Sequence, residues 1–145
     1  MGADELDKFI LGNFGGVVKD CPWEDAPGYV VYRHGDNRKW FALKFAASKE
    51  QLLRLKNDDV ILNDYADGEM VEIVNVKVDP EMIADVVKVV GFLPAFHMNR
   101  KHWVTILLDA EVDAARLRAL VEMSYNLTAR KYKARNGGAV GAGAS

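Results

Sequence analysis

Pro94-Ala95-Phe96-His97-Met98-Asn99-Arg100-Lys101-His102-Trp103, running on into Val104-Thr105-Ile106-Leu107-Leu108, is the stretch on which a reading of this chain turns. Its first ten residues gather two imidazoles, a carboxamide, two cations and an indole. The five that follow are an apolar run of the kind that makes a buried strand. Polar side chains crowded against a buried element are costly unless they are hydrogen-bonded or face a ligand. Residues 95–98 and 102–108 therefore predict a hairpin turned by Asn99, Arg100 and Lys101. Asparagine suits such a turn because its side chain bonds its own backbone. His97, Asn99 and Trp103 are the expected hydrogen-bond network fixing the bend, with the indole in the core. Arg100 and Lys101 are its exposed apex.

Outward from that hairpin the patterning stays regular. Met70 to Val78 alternates as a strand. Asp79-Pro80-Glu81 then supplies an N-cap, a proline at the first helical position and an acid near the positive helix end. Ile83, Val86, Val87 and Val90 form a helical stripe that Gly91 ends. Asp113 opens a final helix whose inward face is Leu117, Leu120, Val121, Ser124 and Leu127. At the other end Asp4 caps a helix over residues 4–14, with Leu6, Phe9, Ile10 and Phe14 at helical spacing and Gly15-Gly16 as the stop. Residues 17–28 read as a loop. Residues 29–33 and 39–45 read as a hairpin around His34-Gly35-Asp36-Asn37-Arg38. Ser48-Lys49-Glu50-Gln51 has capping-box form and introduces Leu52, Leu53 and Leu55. Val60-Ile61-Leu62 reads as a short strand between turns.

Strands gathered between terminal helices predict an α+β domain, an antiparallel sheet with helices packed on one face. A length of 145 residues suits one domain over residues 1–135, and the Gly/Ala-rich stretch 136–145 buries too little to order itself. Cys21 is the lone cysteine, which excludes an internal disulfide framework and fits a reducing cytoplasm. An acidic start and the lack of any apolar run near 20 residues argue against a signal peptide or a membrane span. Net charge is −2, but unevenly spread: the first 126 residues carry −6, and Arg130, Lys131, Lys133 and Arg135 make the remainder +4. A broadly basic nucleic-acid-binding domain is thereby excluded, leaving local cationic patches.

The quoted stretch also resembles the MmcQ/YjbR-like family, small bacterial proteins marked by an aromatic residue followed by His-Met-Asn-Lys/Arg and then His-Trp. Here the motif is Phe96-His97-Met98-Asn99-Arg100-Lys101-His102-Trp103. Pro22-Trp23-Glu24, Val74-Asn75-Val76-Lys77-Val78-Asp79-Pro80 and Met123-Ser124-Tyr125-Asn126-Leu127 are similar to further family segments, in order. The resemblance implies a CyaY/frataxin-like topology and a double-wing DNA-binding motif. Two hairpin tips would then be the wings, with Arg38, Lys39, Asn99, Arg100, Lys101 and His102 as the candidate nucleic-acid contacts. Residues 46–68 look longer here than in many family members.

Against that stand the other chemistries. His97 and His102 need not converge on a metal across a tight turn, and no Cys-x-x-Cys or His-Glu-x-x-His spacing occurs, so no metal or cofactor is expected. Asp4, Glu5 and Asp7 are too sparse for an acidic iron-binding ridge. Cys21 lacks a neighbouring histidine and reads as a small core thiol. Ser124, mid-helix, is expected to bond a backbone group. With no nucleophile elbow or phosphate loop in view, the expectation is a non-enzymatic binding protein. DNA is the first expected partner. The alternative is a protein or small ligand held on an exposed sheet face bearing Tyr32, Trp40 and Trp103.

Overall fold

Strand β1 (Val17–Asp20) begins a six-stranded antiparallel sheet of spatial order β1-β2-β3-β4-β6-β5, with β2 (Val30–His34), β3 (Trp40–Ser48), β4 (Met70–Lys77), β5 (Phe92–Pro94) and β6 (Trp103–Leu107). The computed structural model describes residues 1–130, so the reading of residues 136–145 lies outside the described residues. Helices α1 (Ala3–Asn13) and α5 (Ala114–Thr128) flank the strands in sequence, and α5 packs along β3 and β4. The α+β fold expected from the sequence is the fold observed.

Ser124 shows why that packing is specific. Its hydroxyl donates to the Phe41 carbonyl at 2.6 Å and accepts from the Lys77 amide at 2.8 Å. One buried serine thus satisfies backbone groups of two strands and fixes the roll of α5. Leu117, Leu120, Val121 and Thr128 are buried beside it, whereas Leu127, expected to face inward, is exposed. Asp113 caps this helix as expected, accepting from Arg116 N. On β2, Tyr32 is fully buried, and its hydroxyl donates to Asp7 of α1 at 2.6 Å. Burial pushes the Asp7 carboxyl up, but the Lys19 ammonium and the Tyr32 hydroxyl outweigh it and hold the group below its ordinary value.

Five local readings need correction. Residues 17–20 are not loop but strand β1, too short and too charged (Lys19, Asp20) to show as one. The first helix starts at Ala3 with Gly2, not Asp4, at its cap, and the Glu5 side chain accepts from Gly2 N. Val60–Asn63 is one helical turn, α3, because Asp59 accepts from Ile61 N and Leu62 N and so converts an aliphatic triplet into a capped turn. The stripe from Ile83 to Val90 is a 3-10 turn (Pro80–Met82) followed by a single turn, α4 (Ile83–Val86), with only Val86 fully buried and Val90 exposed. The strand preceding the 99–101 bend is Phe92–Pro94, not 95–98. Ser48, by contrast, makes its capping box over α2 (Lys49–Leu53) as read.

The sheet's two rims are short. β1 is four residues long, and β5 is three residues ending in Pro94, which has no amide N–H to offer.

Candidate functional site at one end of the sheet

Antiparallel pairing brings both expected tips to the same end of the sheet. Arg33 lies opposite Trp40, Ala42 opposite Val76, and Lys77 opposite Trp103. The β2–β3 turn, residues 35–39, and the bend at residues 99–102 therefore leave the sheet side by side with β4's end between them. The C-terminus of α5 joins them there, since Asn37 Nδ2 donates to the Thr128 carbonyl at 2.8 Å. Arg38, Lys39, Asn99, Arg100, Lys101 and His102 are all exposed. None of the ion pairs among the described residues takes Arg38, Lys39, Arg100 or Lys101. Asp36 is the carboxylate on the first tip.

Asn99 makes its bend through its own side chain and carbonyl. Oδ1 accepts from Lys101 N at 2.8 Å, and the carbonyl accepts from Trp103 N at 2.9 Å and His102 N at 3.2 Å. The rest of the expected network is elsewhere. His97 is exposed, with φ of 62°, and its ring leans on Phe96 at 3.9 Å. Trp103 is half-buried at the start of β6 and forms no part of a buried polar cluster. The groups that hold this segment are Asn75 and Thr105, which face one another across β4 and β6 and are wholly buried. Thr105 Oγ1 donates to Asn75 Oδ1 at 2.5 Å and accepts from Phe96 N at 2.8 Å. Asn75 Nδ2 donates to the Phe96 carbonyl at 2.9 Å. Phe96 thus spends both backbone groups on side chains, and the chain peels off the sheet instead of continuing β5.

What it peels over is an aromatic cavity of about 310 Å³ lined by Trp23, Ala26, Tyr29, Trp40, Leu43, His97 and Met98. Trp23 meets Trp40 edge-on at 5.6 Å and Tyr29 at 5.8 Å; Tyr29 stacks on Phe45 at 4.6 Å, and Phe45 on Phe96 at 5.9 Å. An irregularity in register beside Tyr32 and Arg33 lets Trp40 share this side with Leu43, three residues on. Tyr32, expected on an exposed aromatic face, lies instead against α1, and Trp103 is not among the cavity residues. Cys21, expected in the core, is exposed. Trp23 was invisible as a site residue because it sits in what reads as ordinary loop, and Tyr29 because it reads as the first residue of a hairpin strand that in fact begins at Val30; Pro22-Trp23 was the available signal.

A second cavity, about 430 Å³, lies at the root of the first tip between Gly15, Gly16, His34, Gly35, Asp36, Tyr125, Ala129 and Arg130. His34 is buried there, its Nε2 2.8 Å from Thr128 Oγ1 and its ring 4.5 Å from Tyr125. Burial holds its pKa below the ordinary 6.5. The folded protein thus resists a proton that the unfolded chain accepts. Stability is intact above about 6.5 and is lost as pH falls through that value and on through the lower folded one. Melting temperatures at about pH 7.5 and 5.5 are expected to fall less in His34→Gln than in the parent; equal slopes would remove this account.

With that geometry in place, comparison with known proteins is direct. The YjbR family model matches residues 13–127, which include both tips and the aromatic cavity. The chain belongs to the YjbR family. YyaQ of Bacillus subtilis, described as an uncharacterized protein, is 28% identical over 125 residues, covering 86% of this chain and 96% of its own. A YjbR-like likeness holds in structure too. A Pseudomonas syringae crystal structure shares 32% identity with a TM-score of 0.74, covering 89% of this chain and all of its own. The structure of protein DR2400 from Deinococcus radiodurans, at 24% identity and a TM-score of 0.63, covers 92% of this chain and 83% of its own and has the same fold. Among the described residues no helix is long and apolar enough to cross a membrane, and no cluster of His, Cys, Asp and Glu is arranged to hold a metal.

Proposed function

We propose that this YjbR-family protein is a non-enzymatic DNA-binding protein that grips the phosphate backbone with the two tips at one end of its sheet. The observation that carries the reading is the pairing of Arg38-Lys39 with Arg100-Lys101 at that end, all four exposed and outside the ion pairs of the described residues. Such cations neutralise phosphates and release counterions, which supplies sequence-independent affinity despite a net charge of −2. Asn99 is occupied with its turn through Oδ1, so its role is to shape the second tip. His102 anchors that tip through its carbonyl, which accepts from Val78 N at 2.8 Å, and leaves its ring exposed.

The left-handed backbone at Arg38 (φ 63°) favours the same reading. A non-glycine residue there costs about 1 kcal/mol, a cost most often tolerated where the side chain is needed. A second reading, a small planar ligand with no nucleic acid, is favoured by the aromatic cavity.

Fluorescence anisotropy on a labelled DNA separates them. With two to four phosphates engaged, affinity is expected to fall about 10- to 200-fold between 50 and 200 mM salt. Arg100→Glu with Lys101→Glu is expected to abolish binding while leaving the melting temperature unchanged, because both side chains are solvated. Undiminished binding by that variant, or none by the parent at low salt, would sink the reading.

A further inference from the structure

The aromatic cavity and the cationic tips share their roots. Trp40 follows directly on Lys39 of the first tip, and His97 and Met98 lead into Asn99 and Arg100 of the second. An aromatic hollow is therefore walled on two sides by the segments that carry the exposed cations. Leu43, Tyr29, Ala26 and Trp23 complete its lining. We propose that this cavity receives an unpaired nucleobase of a single strand whose phosphates lie on the two tips.

The chemistry of the lining favours a base over an aliphatic guest. A planar ring entering the hollow meets a lining of two indoles, a phenol, an imidazole and a thioether. Every base has a π-face, so stacking of this kind is sequence-tolerant, and cations beside it supply the complementary contact to the backbone. A base paired within a duplex is stacked between its neighbours and has to be extruded before it can enter, whereas a single-stranded one is spared that cost. The hollow thus predicts a preference for single strands that the tips alone do not. Trp23 is well suited to gate it. Its side chain is the outermost indole, held edge-on between Trp40 and Tyr29, and it comes from the connection between β1 and β2 rather than from the sheet. Asn75 and Thr105 act as positioning residues, since they pin Phe96 and hence the His97-Met98 wall.

This inference rests on the tip reading above, and the experiment keeps the two apart. Labelled oligothymidylate of about a dozen nucleotides and a duplex of the same length are titrated at fixed low salt against the parent, Trp23→Ala, Met98→Ala, and Arg100→Glu with Lys101→Glu. Tryptophan emission is followed in the same titrations. The expected result is binding of the single strand about tenfold or more tighter than the duplex, with quenching of tryptophan emission. Trp23→Ala is expected to weaken single-strand binding about tenfold and to leave duplex binding unchanged. Met98→Ala should weaken the single strand in the same direction, and guards against a loop rearrangement peculiar to Trp23. Equal affinity for both strands, indifferent to Trp23 and Met98, overturns the base pocket while leaving the tips in place. Loss of neither ligand in the doubly charge-reversed variant overturns the tip reading. Quenching by thymidine monophosphate as strong as by the oligonucleotide, with no salt dependence, overturns both in favour of a free small molecule.

Discussion

Asp59→Ala is expected to destabilise the protein by about 3–5 kcal/mol, the usual cost of removing one partner from a buried ion pair. Asp59 is 1% exposed. Its Oδ1 accepts from Ile61 N at 3.0 Å and Leu62 N at 3.4 Å, and its Oδ2 accepts from Gly91 N at 2.7 Å. Lys56 Nζ lies 3.3 Å from Oδ2 and also donates to the Val89 and Phe92 carbonyls. Alanine would strand three amides and leave an ammonium facing only carbonyls. The amide that Oδ2 holds belongs to a glycine that no other residue can replace, since at φ +86° a Cβ there would come 2.5 Å from the Val112 side chain. With total stabilities of about 5–15 kcal/mol for single domains, the loss takes a large share and lowers the melting temperature by about 10 °C or more. Asp59→Asn keeps one oxygen for Ile61 N and Leu62 N but sets an NH2 donor against Gly91 N and the Lys56 ammonium, so it too is expected to destabilise the fold. Thermal melts of the two variants that coincide with the parent would show that the 56–62 segment contributes nothing to the fold.

Asn75→Leu comes second, at about 2–4 kcal/mol. The substitution conserves volume and leaves the Phe96 carbonyl and the Thr105 hydroxyl buried without their partner, each worth about 1–3 kcal/mol. Its signature is double. Melting drops, and because Phe96 positions the His97-Met98 wall, the environment of the cavity tryptophans changes in the native state. Thr105→Val frees the Phe96 amide and should cost a similar amount, while the double variant costs less than the sum because the two share one network. A melting shift without any change in native tryptophan emission would separate the network from the cavity.

These two residues also mark where sequence reading succeeds and where it stops. The terminal helices, the β2–β3 hairpin and β4 were legible because each repeats an apolar period long enough to be seen. The caps at Ser48, Asp79 and Asp113 were legible because their chemistry is local, whereas Gly91, read as the end of the helix, is left-handed but lies beyond α4, which closes at Val86. Asp59 was read as a turn residue, since nothing in sequence reveals that Gly91, 32 residues on, needs its second oxygen. Likewise the brace under the 99–102 bend was assigned to the nearby His97 and Trp103. The actual brace comes from Asn75 and Thr105, the first of them 21 residues upstream of the backbone it holds. The tips' exposure followed from their charge. Their sharing one end depended on strand order, and the aromatic cavity depended on a register irregularity and two loop residues, none of which has a local pattern.

The brevity of the outer strands has a consequence for the protein in bulk. A fibril grows when one molecule's unsatisfied rim accepts another's, and each rim here offers at most a few rungs, one side broken by a missing donor at Pro94 and the other dressed with Lys19 and Asp20. Concentrated solutions accordingly have little from which to seed ordered aggregates while the fold is intact, and the hazard begins only when melting bares the long inner strands.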